Sequence, residues 1–140
     1  MKYKNPGCTA DIIIERKGSI LLVKRKHEPF KDMWALPGGY LEYGEETIEQ
    51  TCIRETKEET DIDIRNPQVI SIHNCKNEHA HFMTAGLIAH EWAGEAKVME
   101  PDEIIKWEWF DLNNLPSPRY FPSFEVIENY TKGQFYIKRK

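Results

Sequence analysis

Residues 36–62 read LPGGYLEYGEETIEQTCIRETKEETDI, and the rest of the chain is organised around them. Thr47 and Gln50 have the spacing of a capping box, and nothing from there to Thr60 breaks a helix, so the N-cap is placed at Thr47. Glu55, Glu58 and Glu59 then fall within an arc of about 100°. Cys52, Ile53, Thr56 and Thr60 occupy the adjoining arc and are expected to face the core. Like charges at i, i+3 and i+4 destabilise a helix by about a few tenths of a kcal/mol each. A solvated charged face with Arg54 and Lys57 nearby would account for such a helix. So would a hard-cation site, because clustered carboxylates are what Mg²⁺ takes from a protein while phosphates and water fill its other positions.

The loop ahead of the helix favours the cation. Apolar Trp34-Ala35-Leu36 runs as a short strand into Pro37-Gly38-Gly39, a turn whose glycines let backbone approach a ligand closely and expose carbonyl oxygens. Glycine turn, a loop with Glu45 and Glu46, and an acid-lined helix make one concave site from a contiguous segment.

This segment resembles the signature box of the Nudix hydrolases, G-x5-E-x7-R-E-U-x-E-E-x-G-U, with U apolar. Gly39, Arg54-Glu55, Glu58-Glu59 and Ile62 match, with one extra residue between Gly39 and Arg54. Counting forward makes Glu45 the first box glutamate; counting back makes it Glu46. Helical spacing is rigid and loops absorb insertions, which favours Glu46. Thr56 stands where an apolar residue is usual. Asp61 replaces the closing glycine, where a left-handed C-cap is expected and its charge opposes the helix dipole, a modest cost in stability.

The resemblance implies an α/β/α sandwich, an α+β fold with a mixed sheet between the box helix and a C-terminal helix. It also implies metal-assisted hydrolysis of a phosphoanhydride. In that reading Glu55, Glu58, Glu59 and the Gly39 carbonyl hold Mg²⁺, with Mn²⁺ as a possible substitute, and Arg54 orients the first box glutamate. The family commonly carries a basic residue on the strand before the box, for which Arg25 is the choice here, and often recruits a further acid, for which Glu103 is chosen ahead of Glu108. The texture of LPGGYLEYGE, RETKEET and KWEWFDLNNLP is closest to small MutT-like nucleotide diphosphatases, so a nucleoside triphosphate yielding monophosphate and pyrophosphate is expected. ADP-ribose, another nucleoside diphosphate conjugate or a capped RNA end is the alternative within the family. A nucleotide sensor without turnover is the rival of another class.

Outside the box, residues 1–140 suit one domain with a real core. A formal net charge of −4 gives no broad footprint for long nucleic acid, and no apolar run is long enough for a membrane span. Three cysteines without CxxC spacing and no signal-peptide pattern point to a reducing, cytoplasmic setting. A homodimer is expected by analogy alone.

Thr9 to Glu15 and Ser19 to Lys24 read as a hairpin about Lys17-Gly18. Short strands follow at Ile62 to Ile64 and Val69 to His73, and a long one at His79 to Trp92, broken or bulged near Gly86. Lys106 to Asp111 alternates, with Trp107 and Trp109 sharing a core-facing side. A helix spans Ser123 to Lys132, its stripe Phe124, Ile127 and Tyr130 facing inward. Cys75, His79 and His81 offer three of the four ligands that zinc wants, which is too few. His81 or His79 is instead a candidate wall of the substrate cleft beside Gly38 and Gly39. Phe121, in a loop before a helix, is a candidate to stack on a base, a contact worth about 1–3 kcal/mol in nucleic-acid complexes.

Overall fold

The structure is a computed structural model that describes residues 4–139. β1 (Gly7–Arg16) and β2 (Ser19–Arg25) form the expected hairpin, turning where Lys17 and Gly18 both take positive φ. After β3 (Trp34–Ala35) and β4 (Gly38–Tyr40) comes α1 (Ile48–Thr60). Then follow β5 (Asp63–Arg65), β6 (Gln68–Lys76), β7 (His81–Ala89), β8 (Glu91–Ala93) and β9 (Ile104–Asp111), and the chain closes with α2 (Phe121–Lys132).

Seven strands make one mixed sheet with β1 at its centre. One edge of β1 runs parallel to β7, and β6 pairs antiparallel beyond it. The other edge is shared: Thr9 to Asp11 pair with β4, and only Glu15 and Arg16 pair with β2. β2 therefore leaves β1 after two residues and carries β3 and β9 away with it. That split opens the cleft described below. β5 and β8 form a separate two-stranded ribbon.

The sheet is packed on both faces, as alternation along β1 requires. Ile12 and Ile14 join Cys52, Ile62 and Leu87 on the α1 side, with Trp107 and Trp109 partly buried against them. Ile13 joins Ile20, Leu22, Trp34, Val126 and Ile127 on the α2 side. The fold is the α+β sandwich that the sequence implied.

Several details differ. Ile53 is 40% exposed, and Thr51 lies in the interior instead. The Thr51 hydroxyl can be buried because it donates to the Thr47 carbonyl and to Glu46. β7 runs through Gly86 unbroken; the irregularity is on β6 between Val69 and Ser71, opposite that glycine. A Cβ at Gly86 would collide with Ser71 Oγ and the Val126 side chain, so this glycine answers to packing and not to a break. The long strand ends at Ala89, and Trp92 belongs to β8, stacked on Trp109 at 5.4 Å. α2 starts two residues early, with Pro in its first turn, and buries Pro122, Ser123, Glu125, Val126, Ile127 and Asn129; Phe124 and Tyr130 are only partly covered.

Candidate active site

Thr47 caps α1 as its spacing indicated: its hydroxyl accepts the Gln50 amide at 3.1 Å, and the Gln50 side chain accepts the Thr47 amide at 2.9 Å. At the other end Asp61 takes φ 64°, the left-handed C-cap, and its amide donates to the Lys57 carbonyl. Lys57 Nζ lies 3.0 Å from the Asp61 carboxylate and 3.2 Å from that of Asp63, which offsets the unfavourable charge at a helix C-terminus.

Between these caps Arg54 ties loop to helix. Its guanidinium donates twice to Glu46, at 2.6 and 3.0 Å, and once to the Tyr40 carbonyl at 3.2 Å. It also reaches Glu55 at 2.9 Å and Glu58 at 3.3 Å. Glu46 further accepts the Glu42 amide and the Thr51 hydroxyl. These donors, Arg54 above all, hold the Glu46 carboxyl at about 2. Of the two glutamates left open by counting, Glu46 is the one Arg54 grips, while Glu45 stands in solvent.

The last turn of α1 is different. Glu59 is 8% exposed, and one carboxylate oxygen accepts the Gly38 amide at 3.1 Å. Burial first, then the neighbouring Glu55 charge, pushes its pKa well above the ordinary range. Glu55 is raised too, by burial against the pull of Arg54, with Glu58 adding to the rise. A Cβ at Gly39 would lie 2.5 Å from Glu55 Oε1, so a side chain there would push the Glu55 carboxylate out of its place. Residues 97 and 99 donate their amides to the Thr60 and Glu59 carbonyls, satisfying helix-end groups and bringing Glu100 over this corner. The Glu100 carboxyl is raised by burial, then by Glu58 and Glu103.

These acids line one wall of a cleft of about 390 Å³ at the split in the sheet. Arg25, Lys26 and His27 line it from the β2 end. Lys26 Nζ donates to the Pro101 carbonyl at 2.9 Å, and the His27 ring bonds the Asp102 carbonyl, so this basic segment also pins the acidic loop. Among the described residues no three metal-binding side chains yet converge on one point, and Arg54 draws Glu55 and Glu58 aside. The donor set nevertheless suits a hard divalent ion: oxygen-only, crowded, and with the buried Glu55 and Glu59 carboxyls made reluctant to ionise until a cation compensates them.

Arg54, Glu46, Glu55, Glu58, Glu59, Gly38, Gly39, Arg25 and Glu103 are thus brought around one corner. His81 and Phe121 are not. His81 is exposed and bonds Asn74 at 2.8 Å, and Phe121 lines a different cleft, of about 510 Å³, with Phe30, Met33, Arg119 and Glu125. Glu108 is exposed on β9 opposite Leu22. Cys75 is buried, and His79 meets the edge of Phe30 at 5.6 Å.

Two acids escaped the sequence reading. Glu100 is placed by backbone bonds to a helix end, which no spacing announces. Asp11 had a signal: it is a lone charge inside the buried run Ala10 to Ile14. One of its oxygens accepts the Ser123 hydroxyl at 3.1 Å. Burial pushes its pKa up to about 7, against the pull of Ser123 and Arg25.

Comparison with known proteins finds relatives over nearly the whole chain. The NUDIX domain profile matches residues 6–130. An ADP-ribose pyrophosphatase of Methanocaldococcus jannaschii is 36% identical over 132 residues, 93% of this chain and 76% of that protein. An NAD-capped RNA hydrolase NudC of Stutzerimonas stutzeri is 32% identical over 129 residues, but the chain spans only 44% of its length. Among solved structures, a MutT NUDIX hydrolase from Burkholderia pseudomallei superposes with TM-score 0.85 at 31% identity, covering 89% of this chain and 98% of that one. The NUDIX domain of Shewanella oneidensis NrtR, at 22% identity and TM-score 0.79, covers 93% and 89% and shares the fold.

Proposed function

The chain belongs to the NUDIX domain family of pyrophosphohydrolases, and from that premise we propose that it cleaves the phosphoanhydride of a nucleoside diphosphate linked to a second group, with ADP-ribose the first substrate to test. The observation that carries the reading is the crowding of Glu55 and Glu59, both raised in pKa, against Gly38 and Gly39 in a cleft whose other wall holds Arg25. The ADP-ribose pyrophosphatase similar over 93% of the chain supports the substrate class.

Glu55, Glu59 and the Gly39 carbonyl, with Glu58 sharing, would hold Mg²⁺, or Mn²⁺ in its place, which supplies charge neutralisation at the phosphates and a bound water of lowered pKa. The chain's own groups do the rest. The Arg25 guanidinium receives phosphate oxygens. Arg54, fixed by Glu46, sets the angle of Glu55. A carboxylate of the Glu58–Glu100 pair, at the mouth of the cleft, takes the proton of the attacking water, whose oxygen bonds phosphorus as the bridging oxygen leaves.

A second reading, a nucleoside triphosphate cut to monophosphate and pyrophosphate, is favoured by the pair Arg25 and Lys26, which would match a longer phosphate chain. One incubation separates the possibilities. The protein is given Mg²⁺ with ADP-ribose, nucleoside triphosphates and an NAD-capped oligonucleotide, and products are identified by chromatography. AMP with ribose phosphate supports the first reading, and monophosphate with pyrophosphate the second. Tight binding without products would identify a sensor and reject both. A homodimer is part of the proposal, read by light scattering.

A further inference from the structure

We propose that Asp11 is a specificity-determining residue, its free carboxylate oxygen accepting a ribose hydroxyl of the bound nucleotide. The inference rests on the reading of the substrate as a nucleotide and deepens it.

Asp11 lies on the α2 face of β1 and is 8% exposed. Its Oδ2 accepts the Ser123 hydroxyl at 3.1 Å, and the Ser123 oxygen accepts the Leu36 amide at 2.9 Å, so the carboxylate is fixed from behind. Its Oδ1 lies against the Cα of Gly38, where any side chain would collide with it, and receives no hydrogen bond among the described residues. Asp11 lines a small pocket of about 120 Å³ together with Arg25, Gly38, Tyr40, Phe82 and Tyr120. A ligand hydroxyl entering the pocket can supply the hydrogen bond that this oxygen lacks, and a charged acceptor makes that bond a strong one.

The position selects the ligand group. Arg25 and Gly38 belong both to this pocket and to the acid-lined cleft. The group that enters the pocket is therefore one covalent link from a phosphate held in the cleft, which in a nucleotide is the sugar. Arg25 bridges the two: its guanidinium lies 5.0 Å from the centre of the Tyr120 ring, and its Nε is buried with no partner. A phosphoribosyl unit offers phosphate oxygens to Arg25 and hydroxyls to Asp11 together. Tyr40, Phe82 and Tyr120 give the pocket aromatic surface that suits the apolar faces of a sugar.

The test is equilibrium binding of AMP, 2′-deoxy-AMP and 3′-deoxy-AMP by calorimetry, for wild type and Asp11→Ala, in the presence of Mg²⁺. Wild type should bind AMP about tenfold or more tightly than at least one deoxy analogue, the value of a hydrogen bond to a charged group. Asp11→Ala should bring that ratio close to one. A ratio near one in wild type, no binding of AMP, or a ratio unchanged in Asp11→Ala would overturn the proposal. An Asp11→Ala effect that separates AMP from inosine monophosphate and spares the sugar would overturn it as well, by assigning the carboxylate to the base. If Asp11→Ala does not fold, Ser123→Ala, which only releases the carboxylate from behind, must narrow the ratio; an unchanged ratio again rejects the idea. Sugar discrimination without cleavage of any phosphoanhydride would sink the proposed activity and leave this inference standing.

Discussion

Glu46, at the entrance to α1, and Glu59, in its last turn, are the same residue type a few turns apart, yet their carboxyls move in opposite directions. Glu46 has its charge answered from within: Arg54, the Glu42 amide and the Thr51 hydroxyl all donate to it, and its pKa falls to about 2. Glu59 is buried with the Gly38 amide as its hydrogen-bond donor and with Glu55, Glu100 and Asp11 as like-charged neighbours, and its pKa rises. One end of the helix is an electrostatically finished structure. The other is unfinished until a cation arrives. Fold and chemistry are divided between them.

The sharpest way to break the comparison is to neutralise the unfinished end. Glu59→Gln should lower kcat by about a hundredfold or more, the scale of losing a main electrostatic contact in an active site. The same variant should melt at a higher temperature than wild type in EDTA, because an amide can keep the Gly38 bond without the buried charge. Loss of activity with lowered stability would instead make Glu59 a structural residue. Arg54→Ala attacks the finished end and should do the reverse: a lower melting temperature, and activity reduced about 10–100-fold, as for supporting partners of a metal site. Activity untouched by Arg54→Ala would mean that Glu55 needs no positioning.

A pH series without metal sharpens the contrast. Glu59 and Glu55 bind protons more tightly folded than unfolded, so their contribution is full below about 4.5 and is lost as pH rises through their raised folded values. Glu46 runs the other way: its contribution is present above about 4.5 and is lost as pH falls toward 2. The buried His73, its pKa lowered to about 4, pushes stability the other way between about pH 4 and 6.5, so the comparison is with Glu59→Gln, which keeps His73. Relative to Glu59→Gln, the wild-type melting temperature in EDTA should fall from pH 5 toward neutrality, and added Mg²⁺ should flatten that fall. A relative profile that rises toward neutrality in EDTA would contradict the raised pKa of Glu59. The smallest effect expected is Thr47→Ala, which removes half of the capping box and should cost about 1 kcal/mol by denaturant titration, with little change in activity.

Much of the fold was legible because it rests on short-range rules. The capping box at Thr47 and Gln50, the left-handed Asp61 and the apolar run from Ile12 to Ile14 each carry their geometry in a few neighbouring residues. The acidic corner was legible for the same reason, since Arg54, Glu55, Glu58 and Glu59 share one helix. Long-range placement was less so. Glu100 reaches the cleft because residues 97 and 99 satisfy the end of α1, and Lys26 and His27 hold its loop through backbone carbonyls. Ile53 and Thr51 exchanged places because a threonine with hydrogen-bond partners can be buried at no great cost, a fact that periodicity alone does not weigh. His81 and Phe121 were placed by their nearness in sequence to strand and helix ends, which does not say what lies beside them: His81 stands exposed at the start of β7, bonded to Asn74, and Phe121 opens α2 against a different cleft.

The central claim is that Glu55, oriented by Arg54, and Glu59 share one divalent ion. A crystal structure grown with Mg²⁺ and a non-hydrolysable methylene analogue of the substrate tests it directly. The account predicts an ion about 2.0–2.1 Å from a carboxylate oxygen of each, with Glu46 still bound to Arg54. An ion seated elsewhere, with neither carboxylate among its ligands, would contradict it.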